Sequence, residues 1–424
     1  MIESVRRDLS SLVIYRSILE HPVIACLKEI CEILSCDPND RMTAGEILSR
    51  LAYHLWDAQM TFQDLIIDHI IYDDNPFSKA AEQMGSQSLA AGLDAAVCAD
   101  LIRLYNIFRL DLTEYAGKIG VDLLLPQAPP DFMLKSSGIY KAFKASSNWP
   151  ELIDDLRKHY WRNSRGIVAR YRALSWDADN GLKGIKKPDP IRLNDLVGFK
   201  SQIQQVLENT EKLLKGFPAN HVLLHGPRGT GKSSIIKALL NEFGDQGLRL
   251  VELNRDYLGQ MDQLVELLQN YKASFIIFID DLSFEENQTE YKGFKSILEG
   301  SLTARPQNVL VYATSNRRHL IREFFADRKT GDEEINPRET MQEKLSLADR
   351  FGLSITFPPP SSRLYLEMVE KMADDAGIEM DYEMLRTRAL EWERMRHGPS
   401  GRTARQFIDS LEQRYYRRSN VCRP

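Results

Sequence analysis

The chain has 424 residues, 43% of them hydrophobic, enough for two or three domains with real cores. Its 55 basic and 60 acidic residues leave a net charge of -5, so a nucleic-acid or membrane-surface partner would need a local patch rather than the global charge. Cys26, Cys31, Cys36, Cys98 and Cys422 form no C-x-x-C pair and no even framework, and no run approaches the ~20 apolar residues of a membrane span, so reduced thiols in a cytoplasmic protein are expected.

Residues 1–175 read as a helical domain. Thr43-Ala44-Gly45-Glu46 has a capping-box pattern ahead of Ile47, Leu48, Leu51 and Leu55 on one helical face. A second helical pattern runs from Leu89 to Tyr115, and Pro126, Pro129 and Pro130 mark a surface loop. His54, Asp68 and His69 read as a polar helix face rather than a metal cluster. From Arg157 to Arg172 arginines and lysines interleave with Tyr160, Trp161 and Tyr171. That pattern suits either a nucleic-acid grip by phosphate contacts and stacking, or a solvated helix face or subunit contact. The stretch 176–190, with Gly181, Gly184, Pro188 and Pro190, reads as a linker.

An α/β domain follows over 191–357. A helix is predicted at Ser201–Leu214, and apolar strands at Val222–His225, Arg249–Leu253, Phe275–Ile279, Val309–Ala313 and Leu353–Phe357, alternating with helical patterns. This alternation predicts a parallel sheet with helices on both faces. After the first strand, Gly226-Pro227-Arg228-Gly229-Thr230-Gly231-Lys232-Ser233 is a complete G-x-x-x-x-G-K-S/T phosphate loop, and Ser234 begins the helix beyond it. Glycines let backbone N–H groups turn onto phosphates, Lys232 reaches the terminal phosphates and Ser233 offers an oxygen to Mg²⁺. The strand Phe275–Ile279 ends in Asp280 and Asp281 at the sheet edge where open α/β sheets bind ligands. Asp280 is expected to position Mg²⁺ and Asp281 to orient the attacking water. Asp327–Thr340 reads as a mobile loop or partner-binding insertion. Residues 358–424 form a helical lid with Tyr365, Met368, Val369 and Met372 on one face, then the basic tail Arg414–Arg418.

These spaced motifs resemble the AAA+ superfamily of P-loop ATPases: Asp195-Leu196-Val197-Gly198, the phosphate loop, Asp280-Asp281, Ala313-Thr314-Ser315-Asn316, Leu347–Gly352 and Gly398–Arg402. The phrases IDDLSFE, LEGSLTARPQNVLVYATSNRRHL, EKLSLADRFG and SGRTARQF are similar to a bacterial family of AAA+-type ATPases classed as a domain of unknown function. That likeness spans about residues 150–415. The resemblance implies an AAA+-like P-loop fold that binds ATP and Mg²⁺, with Val197 and Gly198 joining Gly226–Ser234 around the nucleotide. It implies that Asn316 is the sensor-1 residue, that Arg350 enters a neighbouring subunit's site in a homo-oligomer, and that Arg402, with Arg405 as competitor, is the sensor-2 arginine.

Two features depart from the superfamily. Asp281 stands where glutamate is usual, which leaves slow hydrolysis, or a contribution from Glu285, open. Tyr257-Leu258-Gly259 lies where unfoldases carry a pore loop, but suits an anchored strand-to-helix turn equally well. Three functions are consistent with the sequence: an ATPase remodelling a protein client, a nucleotide-dependent binding switch, and a nucleic-acid-stimulated ATPase.

Overall fold

Residues 2–85, 91–127, 137–283, 294, 306–316, 350–396 and 398–421 are described in the computed structural model, and they divide into two units, Met1–Arg170 and Tyr171–Pro424. The described helices of the first unit are α1 (Ile2–Ser10), α2 (Pro22–Cys36), α3 (Arg41–Ala58), α4 (Phe62–Tyr72), α5 (Pro76–Met84), α6 (Ala91–Phe108), α7 (Leu112–Ile119), α8 (Gly138–Ala145), α9 (Ile153–Asn163) and α10 (Gly166–Arg170). Ile47, Leu48, Leu51 and Leu55 are buried as their spacing requires. The cap of α3 is Asp40, which accepts the Thr43 N–H at 3.2 Å, so Thr43 lies inside the first turn instead of capping it. The described residues of the Leu89–Tyr115 pattern form two helices, α6 and α7. Asp111 accepts the N–H groups of Thr113 and Glu114 and starts α7, a local bond that competes with helix continuation. Cys26 and Cys31 are buried and Cys36 is exposed.

The basic-aromatic stretch is largely spent inside the first unit. Arg157 pairs with Asp94 and Asp154, Arg165 with Asp74 and Glu82, and Arg170 with Asp68 while stacking over Tyr72. Tyr160 is fully buried, its hydroxyl donating to the Ile70 carbonyl.

The second unit carries a seven-stranded sheet of β1 (Ala173–Asp177), β2 (Gly181–Gly184), β3 (Val222–His225), β4 (Leu248–Glu252), β5 (Ser274–Ile279), β6 (Val309–Ser315) and β7 (Leu353–Thr356), in the order β2-β1-β4-β5-β6-β3-β7. All neighbours are parallel except β1 and β2. The linker expected at 176–190 is therefore in part an edge hairpin. Asp177 accepts the N–H groups of Asp179 and Asn180, and Gly181 takes φ +71, so the residues that suggested a spacer are turn chemistry. Helices α11 (Lys200–Leu214), α12 (Lys232–Phe243) and α13 (Met261–Leu268) accompany the sheet. Val222, Leu224, Ile235, Ile236, Leu239, Ile276 and Phe278 belong to one buried cluster.

The C-terminal helices α14 (Ser362–Asp375), α15 (Tyr382–Arg394) and α16 (Gly401–Val421) have a separate core containing Tyr365, Met368, Val369, Leu385, Phe407 and Ile408. No helix among the described residues is long and apolar enough to cross a membrane.

Candidate functional site

The strand order brings three chain segments to one edge of the sheet. β6 lies between β5 and β3, with Ile279 opposite Ala313 and Ser315 opposite His225. The carboxylates after β5, the polar end of β6 and the phosphate loop after β3 thus stand side by side at the strands' C-terminal ends.

Backbone constraints shape the loop. Gly226 has φ +148, and a Cβ there would lie 2.0 Å from the Phe357 carbonyl oxygen. Gly229 and Gly231 have φ +77 and +86, a region that favours glycine. Lys232 opens α12 and is buried; its ammonium donates to the carbonyls of Gly226 and Pro227 at 2.8 and 2.7 Å. Burial holds its pKa below the ordinary lysine value, while Asp280 and Asp281 pull it upward. The Ser233 hydroxyl donates to Asp280 Oδ1 at 2.6 Å, and the Thr314 hydroxyl donates to the same oxygen at 2.5 Å.

Asp281 is one of four non-glycine residues with positive φ among the described residues, at +52. Its N–H donates to Thr314 Oγ1 at 2.9 Å, its carbonyl accepts from Arg255 at 3.2 Å, and Asn316 donates to its Oδ1. Arg228 lies 3.6 Å from its Oδ2. Asp280, Asp281 and Asn316 therefore share one polar row with Ser233 and Arg228.

The lid helix starts on the loop. Gly401 N–H donates to the Gly229 carbonyl at 2.8 Å, and Ser400 and Arg402 crowd the same glycine. Arg402 thus heads the helix beside the phosphate loop, with Arg405 one turn further on. Val197 packs against the lid core, and Gly198, at φ +82, abuts Leu364. Arg350 is not brought to this edge. The register pairs Leu353 with Val222, so Arg350 precedes β7 at the edge where the strands begin. Tyr257 and Gly259 lie in a 3-10 turn, Arg255–Gln260, anchored by buried Leu258. Glu285 and Asp327–Thr340 lie outside the described residues, as do the side chains of Arg414–Arg418.

Sequence reasoning gave no role to Thr314 or Arg255, both of which fix Asp281. The available signal was a hydroxyl residue interrupting the apolar β6 run two positions before Asn316.

A family model described as "Protein of unknown function (DUF815)" matches residues 169–415. The chain belongs to this family. It is 40% identical over 116 residues to the proteasome-activating nucleotidase of Pyrococcus abyssi, covering 24% of this chain and 29% of that protein. It is 33% identical over 126 residues to the Methanococcus vannielii nucleotidase, covering 26% and 29%. The similarity thus spans less than a third of the length of these relatives. Among solved structures, a Thermotoga maritima RuvB mutant aligns at 15% identity and a TM-score of 0.39, covering 53% of this chain and 65% of that one. The Thermotoga maritima RuvB Holliday junction branch migration motor aligns at 14% and 0.33, covering 52% and 72%. This DUF815 chain is an AAA+-type P-loop protein with an α/β nucleotide-binding fold and a helical N-terminal region.

Proposed function

We propose that this DUF815 protein is a Mg²⁺-dependent ATPase that couples hydrolysis to the remodelling of a protein client. The observation that carries the reading is the convergence of Lys232, Ser233, Asp280, Asp281 and Asn316 at one sheet edge, with Ser233 and Asp280 2.6 Å apart. The metal fits the residues: a hydroxyl and a carboxylate form a hard oxygen pair, and Asp280 is exposed, which suits an ion that keeps several waters. Ser233 and Asp280 would hold Mg²⁺, which when bound supplies positive charge against the phosphate oxygens.

In this mechanism the amides of Gly226–Ser234 and the Lys232 ammonium hold the phosphates, while Val197 and Gly198 also line the nucleotide site. Asp281 orients water for in-line attack on the γ-phosphorus. The bond from phosphorus to the ADP oxygen breaks, giving ADP, phosphate and a proton. Asn316 and Arg402 bind the γ-phosphate, and Arg350 serves a neighbouring subunit's site, which requires a homo-oligomer. Phosphate-release assays over a range of protein concentrations test this. Turnover per subunit should rise with concentration and be lost in Lys232→Ala and Arg350→Ala; concentration-independent turnover unaffected by Arg350→Ala would reject the shared site.

The engaged Asp281 carboxylate favours a second reading, a nucleotide-dependent binding switch with incidental hydrolysis. Turnover matching active ATPases and abolished by Asp281→Asn would remove it. A nucleic-acid-stimulated activity through Arg157–Arg172 is disfavoured, because Arg157, Arg165, Arg170 and Arg172 are each paired with carboxylates.

A further inference from the structure

We infer that Arg228 is a positioning residue: its guanidinium pairs with Asp281 until the γ-phosphate of ATP takes it over, and that exchange releases Asp281 for the attacking water. The inference rests on the ATPase reading and adds to it a device by which the site distinguishes ATP from ADP.

Four contacts hold Asp281. Thr314 accepts its N–H, Arg255 donates to its carbonyl, Asn316 donates to Oδ1 and Arg228 faces Oδ2. The first two fix the backbone in its left-handed conformation, so a change of state there falls to the side chain. Asn316 is neutral and close. Arg228 is charged, sits at 3.6 Å, and its side chain is 73% exposed. An exposed ion pair at that distance is weak and readily exchanged. A terminal phosphate group carries more charge than a carboxylate and offers several oxygens to the planar fork of an arginine. Arg228 also lies within the phosphate loop, between Pro227 and Gly229, where the backbone amides and Lys232 already serve the phosphates the loop encloses. A long cation at this position has its geometric use at the outermost phosphate. While it faces Oδ2 at 3.6 Å, its charge competes for the carboxylate that must accept a hydrogen bond from water. ADP, lacking the third phosphate, leaves that pair in place.

The test measures binding of ADP and of a non-hydrolysable ATP analogue to the full chain in the presence of Mg²⁺, for wild type, Arg228→Gln, Arg228→Lys, Asp281→Asn and the Arg228→Gln/Asp281→Asn double variant. Arg228→Gln should weaken analogue binding on the order of 10-fold and leave ADP binding unchanged, with Arg228→Lys restoring part of the loss. Asp281→Asn should strengthen analogue binding, because the competing carboxylate is gone, and that gain should vanish in the Arg228→Gln background. An unchanged analogue-to-ADP ratio in Arg228→Gln, or a gain from Asp281→Asn that persists in the double variant, overturns the exchange. Lys232→Ala separates this from failure of the site reading: if Lys232→Ala binds both nucleotides as wild type does, the phosphate site itself is wrong.

Discussion

Replacing Thr314 by valine removes one oxygen from the site while keeping its shape. The hydroxyl accepts the Asp281 N–H at 2.9 Å and donates to Asp280 at 2.5 Å, and the residue is 2% exposed. Water can replace the bond to Asp280, whose side chain is exposed, so that loss contributes little. The Asp281 N–H loses its acceptor beside a buried strand, which costs about 1–3 kcal/mol. It also loses the contact that holds a non-glycine residue at positive φ. A net cost of about 2 kcal/mol lowers the melting temperature of a unit of this size by about 4–8 °C. Turnover should fall at least ~10-fold with little change in KM, because Asp281 is misaimed while the phosphate loop is intact. Differential scanning calorimetry and phosphate release read the two effects, and Thr314→Ser, which keeps the oxygen, should stay near wild type. A Thr314→Val protein that melts and turns over like Thr314→Ser would refute this account of how Asp281 is positioned.

Two further outcomes concern the helical unit. Glu82→Ala removes one of the two carboxylates on buried Arg165, Glu82 itself being fully buried, while Asp74 stays at 2.9 Å; a destabilisation of about 1–3 kcal/mol is expected in denaturant melts. His159 is held down to about 4 by burial, so the unfolded chain binds more protons than the native one between that value and the ordinary 6.5. Stability is therefore present above pH 6.5 and is lost as pH falls toward 4, by up to about 3 kcal/mol. Thermal melts of His159→Leu should show a flatter dependence over this window.

The α/β unit was legible because its signals are local. A buried parallel strand must be apolar on both faces; β3 and β6 begin where their apolar runs begin, and β5 begins one residue earlier, at Ser274. The phosphate loop declares itself by glycines at fixed spacing. The β1–β2 hairpin was hidden because its turn residues resemble those of a spacer, and only pairing with β4 distinguishes the two. The helix start at Arg41 was missed because Asp40 and Thr43 both have capping side chains, and the sequence does not say which one the backbone chooses. In the site, residue types were readable but partnerships were not. Nothing in the letters shows that Thr314 spans Asp280 and Asp281, or that Arg228 faces a carboxylate, since these contacts arise from strands far apart in sequence. The arginines of 157–172 invited an external partner for the same reason: their acidic partners, including Asp68, Asp74, Glu82 and Asp94, lie far upstream.

The bond from Gly401 N–H to the Gly229 carbonyl gives the lid a fulcrum. Helix α16 runs 21 residues from that point, about 30 Å at the usual rise. A tilt of about 10° at its head, small enough to follow the turning of a single peptide plane, sweeps its far end through about 5 Å. The loop peptide that would face phosphate would thus be the short arm of a lever whose long arm is helix α16.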